Sequence, residues 1–219
     1  MPLSMIRDYL QTQGVRLPED EVRIAQLAAE AVMNTAQASI DRNVLWYALD
    51  GVSLQDHLSD EGENEGRLKQ VFMALDAAVE REQVQSAAVY LLMPQVPGYL
   101  VCLAQQGLPV ERRLEMAEED GWQYLASRSA QTGWLNVTDD MANWLSLGEL
   151  RGEHNRRCAA AMSLPVCLPS GKVLGVVSIE ADSPASLSRE SQAQWVGLAL
   201  ALTEPLRALL GVPHDEAEE

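Results

Sequence analysis

The chain has 219 residues, 47% hydrophobic and 22% charged, so it is long enough to bury a core, and its composition excludes a disordered or fibrous protein. The formal net charge of −16 gives a field that repels phosphate backbones and anionic membranes. We therefore expect neither a nucleic acid nor a membrane as a partner.

The N-terminus and the cysteines indicate a cytoplasmic protein. No apolar stretch approaches the roughly 20 residues that span a bilayer, and the N-terminal sequence MPLSMIRDYL has no secretory-signal pattern. Cys102, Cys158 and Cys167 are odd in number and show no paired spacing, which argues against disulfides or a zinc site. We expect reduced thiols and no metal.

A long helix is predicted from Pro18 to Leu49, because this segment has no glycine, no proline after Pro18 and many helix-forming residues. Small and apolar residues recur along one helical face: Val22, Ala25, Ala29, Val32, Ala36 and Ile40. Alanines allow two helix backbones to approach closely, so this face is predicted to pack on another helix.

Residues 50–66 are predicted to be a solvated acidic linker, because glycines frame a run of acids that is too polar to bury. We therefore divide the chain into three parts. Residues 1–64 form a helical N-terminal region with the linker, residues 65–211 form a folded domain, and residues 212–219 form an acidic tail.

The first half of the domain is predicted to be a helix followed by a β-hairpin. A helical stripe of apolar residues begins at Leu68 and ends near Val84. Two strands, Ser86 to Met93 and Tyr99 to Gln105, are separated by prolines and a glycine that favour a turn. A short helix then ends at Gly133, since glycine commonly terminates helices.

The second half is predicted to contain another hairpin. Trp134 to Thr138 is a candidate strand, and the polar segment from Asp139 to Arg157 is more typical of loop or short helix. Two apolar runs, Ala160 to Leu168 and Val173 to Ala181, flank a four-residue turn and give the strongest hairpin signal in the chain. Gly175, inside the second run, leaves room for a side chain or a ligand beside the backbone.

The last element is predicted to be a helix from Ser188 to about Leu210, with Ser188 as its N-cap. A mid-helix proline removes a backbone hydrogen bond, so Pro205 is predicted to kink this helix.

This order of elements resembles the GAF family over about two thirds of the chain. The string QTGWLNV followed by Asp139 is similar to the family's passage of helix, Thr-Gly, short strand and Asp. The string AMSLPV, followed by Gly171 and VLGVVSIE, is similar to its C-terminal hairpin, although Ser163 stands closer to Pro165 than is usual. The resemblance implies an α+β fold, with a mostly antiparallel sheet and helices packed on one face, preceded here by the α-helical N-terminal region.

The resemblance also implies a small-molecule pocket on the other face, roofed by the segment from Asp139 to Arg157. The candidate ligand-binding residues are Trp134, Asp139, Trp144, Arg151, His154, Arg156, Arg157 and Cys158. The arginines suit a carboxylate or phosphate ligand. Two alternatives are that they pair with nearby acids such as Glu149 and Glu153 in a solvated loop, or form a basic docking face for a protein partner.

Catalysis has little support in the sequence. Cys158 is followed by Ala159 rather than histidine, so a bilin attachment site is absent, and the cysteine set resembling a free-methionine-sulfoxide reductase is absent too. His154 and Cys158, four residues apart, are the one spacing that suggests an acid–base or thiolate pair. We predict no catalytic residue and no cofactor.

The function predicted from these features is a non-catalytic regulatory or sensory protein. It binds an unknown small ligand and signals to a protein partner through its terminal helices, as a homodimer. The alternative is a ligand-free GAF-like scaffold that dimerises through the alanine-rich N-terminal helix and the segment from Trp195 to Leu209, and acts as an adaptor. An enzyme is the third hypothesis.

Overall fold

A computed structural model describes residues 3–35, 39–47, 53–59 and 61–213. Its strands are β1 (Ser86–Met93), β2 (Tyr99–Gly107), β3 (Arg113–Glu115), β4 (Asn136–Thr138), β5 (Ala160–Cys167) and β6 (Val173–Ala181). Its helices are α1 (Leu3–Thr12), α2 (Glu19–Thr35), α3 (Arg42–Trp46), α4 (Gly62–Glu82), α5 (Leu125–Thr132), α6 (Met141–Leu147), α7 (Arg189–Ala201) and α8 (Thr203–Leu209). Among the described residues, no helix combines the length and hydrophobicity needed to cross a bilayer.

The strands form one six-stranded sheet in the order β3-β2-β1-β6-β5-β4, and every neighbouring pair is antiparallel. Both predicted hairpins are confirmed. In the second hairpin, Ala160 pairs with Ala181 and Leu164 with Val177, so β5 and β6 lie side by side next to the sheet centre. The short edge strand β3 was not predicted, because only Leu114 of its three residues is buried.

Helices α4, α7 and α8 lie on one face of the sheet, and α2 packs outside them on α4 and α7. We call this the helix face. Trp195, Leu75 and Val177 are fully buried there. A Cβ placed at Gly197 would lie 2.5 Å from the Cβ of Ala25, so glycine permits the close approach of α7 and α2. The partner predicted for the alanine-rich face of α2 is therefore α7 of the same chain.

Gly175 is explained by packing. A Cβ at this position would collide with the carbonyl oxygen of Tyr90 on β1 and with the side chain of Leu206 on α8. The absence of a side chain at Gly175 therefore allows α8 to pack directly on β6. The sequence predicted room for either a side chain or a ligand beside this glycine, and the structure places the side chain of Leu206 there.

The predicted helix from Pro18 to Leu49 is wrong in its length. Helix α2 ends at Thr35, and the backbone of residues 39–41 is not helical. Asp41 then caps a new helix by accepting a hydrogen bond from the backbone N–H of Asn43, and α3 follows. Ala36 and residues 48–52 lie outside the described residues. Helix propensity correctly predicted that this region is helical, but it did not predict that Asp41 starts a second helix within the region.

The predicted linker also differs from the structure. Leu54 and Leu58 are 0% and 7% exposed and join the main core. Helix α4 begins at Gly62, so the end of the predicted linker is the first turn of that helix. The prediction followed the acidic composition of the segment and overlooked Leu54 and Leu58, whose burial fixes the segment to the core.

The closing helix behaves as predicted. The backbone N–H of Ser191 donates to Oγ of Ser188, which is the N-cap of α7. The helix is interrupted at Leu202, between α7 and α8, because Pro205 has no N–H to donate to the carbonyl one turn earlier. The short helix α5 likewise ends at Gly133, which adopts the left-handed conformation with φ 70°.

Helix α1 and Gln13 are hydrogen-bonded to strand β5 and to the residues just before β4. The hydroxyl of Tyr9 donates to the carbonyl of Pro165 at 2.9 Å. The side-chain amide of Gln13 donates to the carbonyl of Gly133 at 3.0 Å and accepts from the backbone N–H of Leu135 at 2.5 Å. Ile6, Leu10 and Val22 belong to the same buried cluster as Val177 and Trp195, so the N-terminal region and residues 65–211 share one core. Residues 214–219 of the predicted tail lie outside the described residues.

Candidate functional site

The sheet face opposite the helices carries a cavity of about 190 Å³. It lies beneath the segments 109–112, 116–132 and 139–158, which we call the roof. The roof contains α5, α6 and the 3₁₀ turn Glu153–Arg157. This agrees with the prediction that the polar segment after Asp139 forms loop and short helix.

The floor of the cavity is formed by Tyr90 on β1 and by Ser178 and Glu180 on β6. Alternate residues of a strand point to opposite faces, so Ser178 and Glu180 face the roof while their neighbour Ile179 packs in the main core. The hydroxyl of Tyr90 donates to the carbonyl of Glu111 at 3.0 Å and fastens the roof to the floor.

An ion pair connects floor and roof inside the cavity. Arg157 donates from Nε and Nη2 to Oε2 of Glu180, each at 2.7 Å, and from Nη1 to the carbonyl of Pro109 at 2.6 Å. The second carboxylate oxygen of Glu180, Oε1, accepts no hydrogen bond from the described residues. Burial raises the pKa of Glu180, and Arg157 opposes that rise.

The roof above the ion pair is aromatic. The rings of Tyr124 and His154 are stacked, with centroids 4.4 Å apart and planes at 18°. Nε2 of His154 lies 3.0 Å from the carbonyl oxygen of Gln123. Because a carbonyl only accepts, Nε2 carries the proton. Burial lowers the pKa of His154, and the positive charge of Arg157 acts in the same direction, so the ring is neutral at pH 7.

Asn155 holds the 3₁₀ turn in place. It is 6% exposed, and its side-chain amide donates to the carbonyls of Gln123 at 2.8 Å and Arg151 at 2.6 Å. The roof is thus held by side-chain hydrogen bonds to backbone carbonyls together with small apolar clusters, one of which contains Leu125, Met141 and Leu150.

Of the eight residues predicted to bind a ligand, His154 and Arg157 line this cavity. Arg156 points outward and pairs with Glu153 at 3.1 Å, with both side chains exposed. The guanidinium of Arg151 lies 5.8 Å from the ring of Trp122 on the outer surface of the roof. The structure therefore does not gather the three arginines around one ligand position.

The other four predicted residues lie elsewhere. Trp134 is 56% exposed beside β4, and Asp139 is exposed after that strand. Trp144 lies in α6 and packs on the apolar cluster around Met141 and Leu150, with the guanidinium of Arg128 5.7 Å from its ring. Cys158 is buried and borders a separate shallow depression together with Arg156 and α6.

The sequence reasoning missed Tyr90, Ser178, Glu180, Tyr124 and Asn155. One signal for the floor was present. In the run VLGVVSIEA, the polar Ser178 and Glu180 are two residues apart within an otherwise apolar strand. Residues two apart in a strand point to the same face, so this spacing indicates a face that meets solvent or a cavity. The roof residues carry no comparable pattern, because their positions depend on hydrogen bonds between segments distant in sequence.

The thiols are poorly suited to nucleophilic chemistry. Burial raises the pKa of Cys102 and of Cys167 to about 11 and that of Cys158 to about 12. The thiol of Cys158 lies 3.5 Å from the carbonyl of Asn155. His154 and Cys158 line different cavities, so their four-residue spacing does not produce a pair at one site. In the described part of the chain, no group of three or more His, Cys, Asp or Glu side chains is placed to hold a metal ion.

Comparison with known proteins gives the name of the fold. No family model and no curated protein matches the sequence. Among solved structures, the chain is similar to the GAF domain of an Acinetobacter phosphoenolpyruvate-protein phosphotransferase, with a TM-score of 0.58, 15% identity, and coverage of 87% of this chain and 98% of that one. The corresponding GAF domain from Coxiella burnetii gives a TM-score of 0.56 at 13% identity, over 85% and 95% of the two chains.

A type II free methionine-R-sulfoxide reductase from Thermoplasma acidophilum is also similar, with a TM-score of 0.56, 17% identity, and coverage of 67% of this chain and 96% of that one. The chain therefore has a GAF-like fold, as the sequence motifs indicated. Because the fold serves both GAF domains and an enzyme, the function must be argued from the cavity.

Proposed function

We propose that the protein is a non-catalytic regulatory or sensory module that binds a small ligand in the roof cavity and signals to a protein partner. The observation that supports this most strongly is the cavity itself, because polar groups from three separate segments converge on it. Glu180 comes from β6, Arg157 from the 3₁₀ turn, and Tyr124 from the approach to α5. A ligand that contacts floor and roof together would favour one arrangement of the roof over others.

A physical connection leads from the cavity to the N-terminal helix. Leu125 and Ala126 of α5 line the cavity, and the same helix ends at Gly133. The carbonyl of Gly133 accepts the hydrogen bond from Gln13, just after α1. A shift of α5 on ligand binding would therefore move Gly133 and change the hydrogen bond that holds Gln13, and with it the position of the N-terminal region.

The absence of catalysis is part of the proposal. Its support is that burial raises the pKa of all three thiols and that His154 and Cys158 line different cavities. We also propose a cytoplasmic location, supported by three free cysteines.

The surface that we propose for dimerisation differs from the one suggested by the sequence, which included the segment from Trp195 to Leu209. The segment from Trp195 to Leu209 is largely buried against the sheet and α2, so it offers no broad face for dimerisation. The outer side of α2 is exposed instead, with Ile24 65% and Leu27 48% accessible and Ala31 one turn further. We propose this outer stripe of α2 as the homodimer contact.

Ligand binding is tested by filling the cavity. Ser178→Tyr places a ring in the cavity, and Ser146→Tyr adds the same ring on the exposed side of α6. We expect at least one compound of a metabolite panel to raise the melting temperature of the wild type and of Ser146→Tyr, but not that of Ser178→Tyr. A shift that persists in Ser178→Tyr would contradict the proposed site, and a panel without any shift would favour the ligand-free scaffold.

The dimer is tested by light scattering of the full chain. Leu27→Lys should convert a dimer to a monomer, while Leu147→Lys, which charges a leucine that is 68% exposed on α6, should leave it unchanged. A wild type that is monomeric at tens of micromolar would refute the homodimer, and so would a Leu27→Lys variant that remains dimeric.

A further inference from the structure

The charges inside the roof cavity are not those of an anion site. Besides its tyrosines and His154, the cavity is lined by the acidic or basic side chains of Glu111, Arg157 and Glu180. Arg157 is already committed to Glu180 and to a backbone carbonyl. His154 is neutral because burial lowers its pKa. One carboxylate is therefore in excess, within a region whose other walls are largely apolar or aromatic.

The carboxylate of Glu180 has an open acceptor facing this space. Oε2 receives both hydrogen bonds from Arg157, while Oε1 receives none from the described residues, and the side chain is only 16% exposed. Oε1 is not one of the fully buried unpartnered oxygens, so solvent reaches it, and a ligand that supplies an N–H group there replaces that water with a hydrogen bond to a charged acceptor. Glu111, at the exposed rim, forms no ion pair with a described residue and adds a second negative charge.

The cavity walls suit the remainder of a cationic ligand. Tyr90 lies in the floor and Tyr124 in the roof, and the face of an aromatic ring attracts a cation. Leu114, Val110 and Ala126 provide apolar contacts for a short hydrocarbon stem. The combination of aromatic rings and a carboxylate is a general means of holding ammonium groups.

We propose that the roof cavity binds a small organic ammonium cation, with its N–H group donated to Oε1 of Glu180 and its charge facing Tyr90 and Tyr124. This inference rests on the proposed function, because it names the class of ligand for the same cavity. At about 190 Å³ the cavity is smaller than the roughly 300 Å³ at which pockets for drug-sized ligands begin, so the ligand has only a few carbon atoms.

The experiment uses three matched probes, n-butylammonium, 1-butanol and butanoate, which share a chain length and differ in charge. They are titrated into full-length protein with ¹³C-labelled tyrosine rings at physiological salt. The chain has five tyrosines, and single substitutions to phenylalanine assign the signals of Tyr90 and Tyr124. Following these two rings separates cavity binding from general attraction of cations to an acidic surface.

We expect saturable shifts of both rings with n-butylammonium. Glu180→Gln should weaken that binding by about tenfold, since it removes a hydrogen bond to a charged acceptor. Glu153→Gln makes the same charge change on the outside of the roof, where Glu153 is 86% exposed, and should have no effect. If Glu180→Gln fails to fold, Glu111→Gln serves instead, with an expected weakening of about twofold from its exposed charge.

The two proposals fail in different ways. Stronger saturation by butanoate or 1-butanol at the same two rings overturns the ammonium inference while cavity binding stands. The inference also fails if n-butylammonium binds equally well to the wild type, Glu180→Gln and Glu111→Gln. If no probe shifts either ring and the metabolite panel gives no thermal shift that Ser178→Tyr abolishes, both the inference and the proposed ligand site fail.

Discussion

On the helix face of the sheet, α7 is so closely packed that a single methyl group at Gly197 would collide with α2. On the opposite face, the roof is held by two smaller apolar clusters and by a few polar side chains, each bonded to one or two backbone carbonyls. The two faces share the strands β1 and β6 but differ in what holds their covering layers. Close apolar packing resists small displacements, whereas separate hydrogen bonds can break one at a time.

This difference suits a division of labour. The helix face gives the sheet a fixed shape, and the roof supplies a layer that can rearrange around a ligand. The ion pair between Arg157 and Glu180 joins the two, because one partner belongs to the roof and the other to the central sheet. The following predictions test this contrast, beginning with the largest expected effect.

Two tryptophans compare the faces directly. Trp195→Ala removes a ring that is 0% exposed on the helix face and should lower the free energy of unfolding by about 3–5 kcal/mol. Trp144→Ala removes a half-buried ring from the roof and should cost much less. Urea denaturation of both variants gives the two values, and a larger loss for Trp144→Ala would reverse the comparison.

Two glycines test the close contact between α7 and α2. Gly197→Ala should destabilise the protein by about 1–3 kcal/mol, because its methyl group meets Ala25 and the backbone of α2. Gly66→Ala, in α4 with nothing within 4 Å of the new methyl group, should stabilise by up to about 1 kcal/mol. Chemical denaturation measures both, and similar effects of the two substitutions would show that α7 is not tightly packed.

Asn155 tests the polar fastening of the roof. Asn155→Ala removes donors to the carbonyls of Gln123 and Arg151 and should lower the free energy of unfolding by about 1 kcal/mol. The shifts of the tyrosine rings on ligand binding should also change, since Tyr124 follows Gln123. Asn143→Ala, on the exposed side of α6, is the matched control. A loss as large as that of Trp195→Ala would mean that the roof and the core unfold as one unit.

A smaller effect is expected from pH. Because burial lowers the pKa of His154 in the folded protein, the unfolded chain takes up a proton first as the pH falls below about 6.5. The contribution of His154 to stability is therefore present above pH 6.5 and is lost as the pH falls toward its folded pKa. His154→Gln should flatten this part of the curve of melting temperature against pH. An unchanged curve would place His154 in water rather than under the roof.

Much of the fold could be predicted from the sequence because local chemistry decides it. The turn between β5 and β6, the N-cap at Ser188, the helix end at Gly133 and the break before Pro205 each depend on a few neighbouring residues. The burial of Leu54 was missed, because its surroundings in sequence are acidic while its surroundings in space are the core.

The site was less predictable because adjacent residues face different environments. Arg156 and Arg157 are identical in type, yet one pairs with exposed Glu153 and the other with Glu180, which is only 16% exposed. The 3₁₀ turn is too short for a periodic sequence pattern to show which of the two arginines points inward. The choice is made by the position of Glu180 on β6, which is 23 residues away in sequence from the arginine it binds. Composition alone therefore suggested a basic site where the structure has an excess of negative charge.

Hydrogen exchange of the full chain tests the contrast between the faces most directly. The amide of Arg151, bonded to the carbonyl of Trp122, and that of Met141, bonded to Ala159, report on the roof. Amides in the interior of α7 report on the helix face, and those in the interior of β1 report on the central sheet that both faces share. We predict that the roof amides exchange through local opening, at a free energy clearly below that of β1 and α7. Equal exchange free energies at all these positions would contradict the account of a movable roof on a fixed platform.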